Sequence, residues 1–150
     1  MSLCLRSSLA FAVVVVAVAG CPKADGPPTA EQAAPVEKVV RDLYSGYTAA
    51  STGDQARAAL DATCAPAFIA SLKQKADACK QKPDATCDED PVTCAAGHTS
   101  FTTAVVQSVS GKTAVATAVI TPDGGAPKNA RVTLAGEIGA WKIASIECPH

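Results

Sequence analysis

From Ser100 to the C-terminus the chain is written in short β-branched runs separated by turns, and that spacing leaves few ways to fold. Runs at Ser100–Val109, Thr113–Thr121, Ala130–Ala135 and Ala140–Ile146 are rich in Val, Thr and Ile, which suit a pleated, half-buried surface. Between them stand Ser110-Gly111-Lys112, Asp123-Gly124-Gly125 and Glu137-Ile138-Gly139. A parallel crossover needs about a dozen residues or more, so connections this short permit only antiparallel neighbours. The second half is expected to be a four-stranded antiparallel meander.

The first half keeps a different period. Val36, Val39, Val40, Leu43 and Tyr47 recur at helical spacing, with Glu37, Lys38, Arg41 and Asp42 between them. Pro35 suits a first turn and Gly53 a stop, which predicts a helix over Pro35–Ser51. Asp54 is expected to cap a second helix running to Thr63 and burying Leu60. Pro66 restarts the chain, and Phe68, Ile69, Leu72, Ala76 and Cys79 mark a third helical face. The stretch KQKPDATCDEDPVTCAAGH then has no sustained period and reads as an ordered loop. Helices first and strands afterwards imply an α+β fold, with the helices packed on one face of the sheet.

The N-terminus is a separate matter. Leu9 to Ala19 is an unbroken apolar run behind a single cation, Arg6. A bilayer span takes about 20 such residues, so the run is short for a spanning helix and suits the apolar region of an export signal. It ends at Val18-Ala19-Gly20-Cys21 and gives way at once to a stretch rich in Pro and Gly, Pro22 to Pro28. A tether of that composition fits a domain held away from a membrane. The expected organisation is a leader over residues 1–20, Cys21 and a flexible tether over 21–34, and a single domain over 35–150. Ala17-Val18-Ala19 also makes an A-x-A site, so simple secretion with a cut before Gly20 stays open.

Charge excludes one class of partner. With 13 Lys and Arg against 14 Asp and Glu the net charge is −1, and no basic block provides a footprint for nucleic acid. Seven cysteines in 150 residues point to an oxidising compartment. Cys64, Cys79, Cys87, Cys94 and Cys148 are the disulfide candidates, and none of their spacings is a C-x-x-C redox pair. Cys79, Cys87 and Cys94 are expected to staple the loop to the third helix, with Cys148 tying down the C-terminus through Cys64. Cys87, Asp88, Glu89, Asp90, Cys94 and His98 crowd one loop, but without zinc or calcium ligand spacing, so neither a metal nor another cofactor is expected.

The segments VVRDLYSGYTAASTGD, DPVTCAAG, SVSGKTAVATAVI and GAWKIASIEC together resemble the NTF2-like superfamily, and within it the uncharacterised DUF3828-type proteins of bacteria. The resemblance covers about Val36 to Ile146. It implies a cystatin-like cone, a curved sheet wrapped around a pocket that helices close, and it allows a homodimer through the open sheet face. Val18-Ala19-Gly20-Cys21 resembles the bacterial lipobox, which implies a diacylglycerol on the Cys21 thiol and a cut just before it. Pro22 in the position after that cysteine implies, by the sorting rule of enterobacterial lipoproteins, the outer membrane.

Acid–base chemistry needs a carboxylate or histidine with a shifted pKa inside an apolar cavity, and the core-facing strand positions offer none. No catalytic residue is therefore assigned. Tyr44, Tyr47, His98 and Trp141 are the candidates for lining a pocket. Three helical steps set Tyr44 and Tyr47 about 60° apart, so one narrow stripe does not bury both. The expectation is a lipid-anchored, non-catalytic envelope protein that binds a partner protein or a small ligand; an envelope enzyme using the cavity is the alternative.

Overall fold

The computed structural model describes residues 26–84 and 87–149; the leader, Cys21, the first part of the tether and His150 lie outside the described residues. Three helices precede four strands: α1 (Ala30–Thr48), α2 (Gly53–Thr63), α3 (Pro66–Gln81), β1 (Thr99–Ser110), β2 (Thr113–Pro122), β3 (Lys128–Ala135) and β4 (Lys142–Glu147). The strands pair in the order β1-β2-β3-β4, every pair antiparallel. The α+β meander read from the turn spacing is the fold.

Helix α1 starts earlier than Pro35 suggests. Thr29 and Gln32 form a capping box, in which the Thr29 side chain accepts from the Gln32 N–H and the Gln32 side chain accepts from the Thr29 N–H. Those two bonds offset part of the cost of Pro35, which leaves one i→i−4 bond unmade inside the helix. The last residues of the expected tether are therefore helical. Gly53 opens α2 instead of closing α1, and Thr52 rather than Asp54 is its cap, accepting from the Gln55 N–H at 3.3 Å. Asp54 falls in the first turn, where its charge favours the helix dipole. Pro66 occupies the first turn of α3, where its missing N–H costs no helical bond.

Period-two alternation places one face of the sheet indoors. Ala104 from β1, Ala114, Ala116, Ala118 and Ile120 from β2, Ala130, Val132 and Leu134 from β3, and Ile143 from β4 are all buried. The alanines leave room for the bulk that α1 brings: Val36, Val40, Leu43 and Tyr44 are fully buried. Tyr44 stacks on Phe101 with ring centroids 5.6 Å apart and planes 7° apart. Such a pair adds about 0.5–1.5 kcal/mol beyond its area burial. Among the described residues no helix covers the other face, and Val105 on it is 51% exposed. Register shifts between Phe101 and Thr103 and between Val106 and Ser108 place bulges in β1, which bend the strand across the helices.

The junction of α2 and α3 is sewn to β4. Cys64 bridges Ile143, the Ala65 N–H donates to the Ile143 carbonyl at 2.8 Å, and Lys142 Nζ donates to the Ala62 carbonyl. Trp141, just before β4, is buried in the core. Strand β4 begins at Lys142 and not at Ala140, because Gly136 to Ala140 form the turn, with the Ala140 N–H donating to the Glu137 carbonyl at 2.9 Å.

Candidate functional site

Asp90 is the centre of the most organised polar cluster. Its Oδ1 accepts from the Val92 N–H at 2.7 Å and the Thr93 N–H at 3.0 Å, the pattern by which aspartate caps a tight turn. The Cys94 N–H donates to the Asp90 carbonyl at 2.8 Å and the Asp90 N–H to the Ala95 carbonyl at 2.9 Å, closing the loop on itself. Pro91 supplies the fixed φ that the second position of such a turn favours. Asp90 Oδ2 is left for a different partner, Tyr47, whose hydroxyl donates to it at 2.8 Å.

This loop is held on several sides. Cys94 is joined to Cys148 by a disulfide, which fastens the loop to the end of β4. Lys128 Nζ donates to the Cys94 carbonyl at 2.7 Å and pairs with Glu89 at 3.0 Å, tying the loop to β3. The Tyr44 hydroxyl donates to the Val92 carbonyl at 3.0 Å, a second bond from α1. The two tyrosines thus divide the work. Tyr44 is buried in the core, and Tyr47, rotated around the helix, is half-buried and faces Asp90.

Beside them lies a cavity of about 170 Å³ lined by Tyr47, Asp90, Thr93, Gly97, His98 and Thr99, among others. Thr93 is only 4% exposed, and its Oγ1 pairs with no group among the described residues. A buried hydroxyl left unpaired costs about 1–3 kcal/mol, so an orphan at a cavity wall marks a place where a partner would be favourable. Burial pushes the Tyr47 phenol well above its usual pKa, and the Asp90 charge and the hydrogen bond to it push further in the same direction. Tyr47 therefore stays protonated at neutral pH and keeps donating to Asp90.

Of the four residues expected to line a pocket, the structure brings Tyr47 and His98 to this cavity. Tyr44 and Trp141 instead belong to the core, and Trp141 Nε1 is likewise unpaired there. Asp90 and Thr93 were not among the expected site residues. The aspartate-proline pair followed by a short turn is the local signal for a capping aspartate, but nothing local discloses Tyr47 as its second partner.

Three larger clefts border α3 among the described residues, one of about 350 Å³ beside the end of β4 and two others. One, about 400 Å³, lies between α3 and the loop and is lined by Leu72, Lys75, Cys79, Cys87 and Pro91 among others. The other, about 390 Å³, lies between α2 and α3 and reaches Cys64. Among the described residues neither of these two is lined by a buried polar atom that lacks a partner, and in the second Arg57 and Asp61 pair with each other at 3.0 Å.

The cysteines pair differently from expectation. Cys79 joins Cys87, which staples the loop to α3 as expected, but Cys148 joins Cys94 and leaves Cys64 free. Cys64 is 2% exposed at the α2–α3 junction, where burial raises its thiol pKa, with a hydrogen bond to Thr63 and nearby Lys142 offsetting part of the rise. Among the described residues no three His, Cys, Asp or Glu side chains gather as metal ligands, and no helix is long and apolar enough to cross a membrane. No family model matches the chain, and neither does any curated protein or solved structure.

Proposed function

We propose that this chain is a lipid-anchored bacterial envelope protein whose domain binds a small ligand at the Asp90 cavity without transforming it. The observation that carries the binding reading is Thr93 Oγ1, buried and unpaired at the wall of a cavity that also presents Tyr47, Asp90 and His98. An envelope enzyme would draw on the same residues. Against it, the Asp90 carboxylate is engaged by three donors, and the raised pKa of Tyr47 withholds it as a base near neutrality. Those groups are arranged to hold a geometry.

The anchor reading starts from Val18-Ala19-Gly20-Cys21 and gains support from cysteine pairing. Four cysteines are used by the two disulfides, and the fifth, Cys64, is buried. Cys21 therefore has no exposed free thiol to pair with among the described residues, and acylation would consume it. The NTF2-like reading is part of the same proposal; helices followed by an antiparallel meander support it, and the stacked Tyr44 and Phe101 would fill the interior of such a cone.

A thermal-shift screen of small envelope metabolites against the full chain tests the binding reading. At least one compound is expected to raise the unfolding temperature of the wild type and to lose that effect in His98→Ala and Thr93→Val. A screen in which every stabilising compound acts equally on both variants contradicts it.

A further inference from the structure

We propose that the Asp90 cavity takes a primary ammonium group, either a small alkylamine or the end of an aminoalkyl chain. This deepens the small-ligand reading and rests on it. The polar groups at the cavity are matched to a donor. Tyr47 spends its proton on Asp90 Oδ2, so towards any further partner its oxygen can only accept. Asp90 contributes a negative charge, and Oδ2 accepts from Tyr47 alone among the described residues, which leaves it a lone pair for a second donor. Thr93 Oγ1 is buried with nothing to accept from. His98 adds ring nitrogens at the rim, and no Lys or Arg lines the cavity.

Charge and shape point the same way. A carboxylate ligand would meet Asp90 without a counter-charge, whereas an ammonium brings one positive charge and three donors. Asp90 and Thr93 in the loop and Tyr47 on α1 carry three acceptors, a match to that donor count, with Thr93 Oγ1 enclosed until its side chain turns to the ligand. The volume of about 170 Å³ is below the roughly 300 Å³ at which pockets take drug-sized molecules, so it suits an end group. The surrounding loop is already fixed by the Cys94–Cys148 disulfide and by Lys128, so little ordering opposes binding.

The test is an NMR titration of the full chain in detergent micelles, following the amides of Tyr47, Asp90, Thr93 and His98. The probes are n-propylammonium, tetramethylammonium, n-propanol and propionate. Only n-propylammonium is expected to shift those signals saturably, because tetramethylammonium has charge without donors and n-propanol a donor without charge. Thr93→Val, which keeps the side-chain shape, is expected to weaken binding about tenfold, the loss of one hydrogen bond to a charged group. Asp90→Asn, which keeps an oxygen for the Val92 and Thr93 amides, is expected to abolish it. If n-propanol or propionate shifts the signals in place of the ammonium, the ammonium assignment is overturned while the cavity stands as a binding site. Equal binding by tetramethylammonium, or an unchanged affinity in Thr93→Val, also overturns it. If no probe shifts them, the inference and the small-ligand reading of this cavity fall together.

Discussion

The Tyr47 hydroxyl donates to Asp90 Oδ2 at 2.8 Å and so joins α1 to a loop 43 positions further along the chain. Tyr47→Phe removes one donor from a half-buried carboxylate and is expected to cost about 1–2 kcal/mol of stability. Urea unfolding, with the midpoint lowered and the slope unchanged, checks it.

The same contact sets a pH dependence. The folded-state pKa of Tyr47 lies above the usual tyrosine value of about 10, as does that of buried Tyr44. Above that value the unfolded chain loses phenolic protons that the folded chain retains. Stability is thus fully present below about pH 10 and falls as pH climbs beyond it. Chemical denaturation across the alkaline range should show this fall. Ultraviolet titration should show two tyrosines ionising late; both ionising at the free value would contradict the geometry.

The two disulfides are unequal in what they constrain. Cys94–Cys148 spans 54 residues and Cys79–Cys87 spans 8. By loop entropy the longer closure contributes about 4 kcal/mol and the shorter about 2.5 kcal/mol. The paired Cys94→Ala, Cys148→Ala variant is expected to unfold at lower urea than Cys79→Ala, Cys87→Ala. It should also loosen the Asp90 loop, visible as faster amide exchange at Val92 and Thr93.

Cys64 sits where α2, α3 and β4 meet, buried and with a raised thiol pKa. Alkylation of the native protein is expected to leave it unmodified over times that label it fully in denaturant. Rapid native labelling would place Cys64 elsewhere than at this junction.

Gly136 has a φ of +143°, and a Cβ there would lie 2.5 Å from the Ala140 carbonyl oxygen, whereas Gly139, at +90°, has open space around it. Both Gly→Ala changes strain the backbone, roughly 1–2 kcal/mol each. Gly136→Ala adds a clash with backbone that cannot swing away. It is expected to destabilise clearly more than Gly139→Ala in thermal unfolding.

The sheet was readable because its evidence is local. Gly111, Gly124 and Gly139 mark the turns, and the alternation in Ala114-Val115-Ala116-Thr117-Ala118 marks the faces. The start of α1 was readable as well, in the Thr29 to Gln32 spacing, but Pro35 gave a stronger and misleading local signal. What escaped was everything set by distant partners. Five cysteines do not state their pairing, and Asp90 looks like any loop aspartate until the fold brings Tyr47 to it. Trp141 and Tyr44 had the right chemistry for a pocket wall, but the packing of α1 on an alanine-rich sheet claimed Tyr44 for the core.

The most direct measurement of the proposed role is non-reducing mass spectrometry of the protein extracted from bacterial membranes. The expected mature chain begins at Cys21 carrying a diacylglycerol thioether, with Cys79–Cys87 and Cys94–Cys148 bonded and Cys64 the lone free thiol. A chain beginning at Gly20 with an unmodified Cys21, or one recovered only from the soluble fraction, would contradict it.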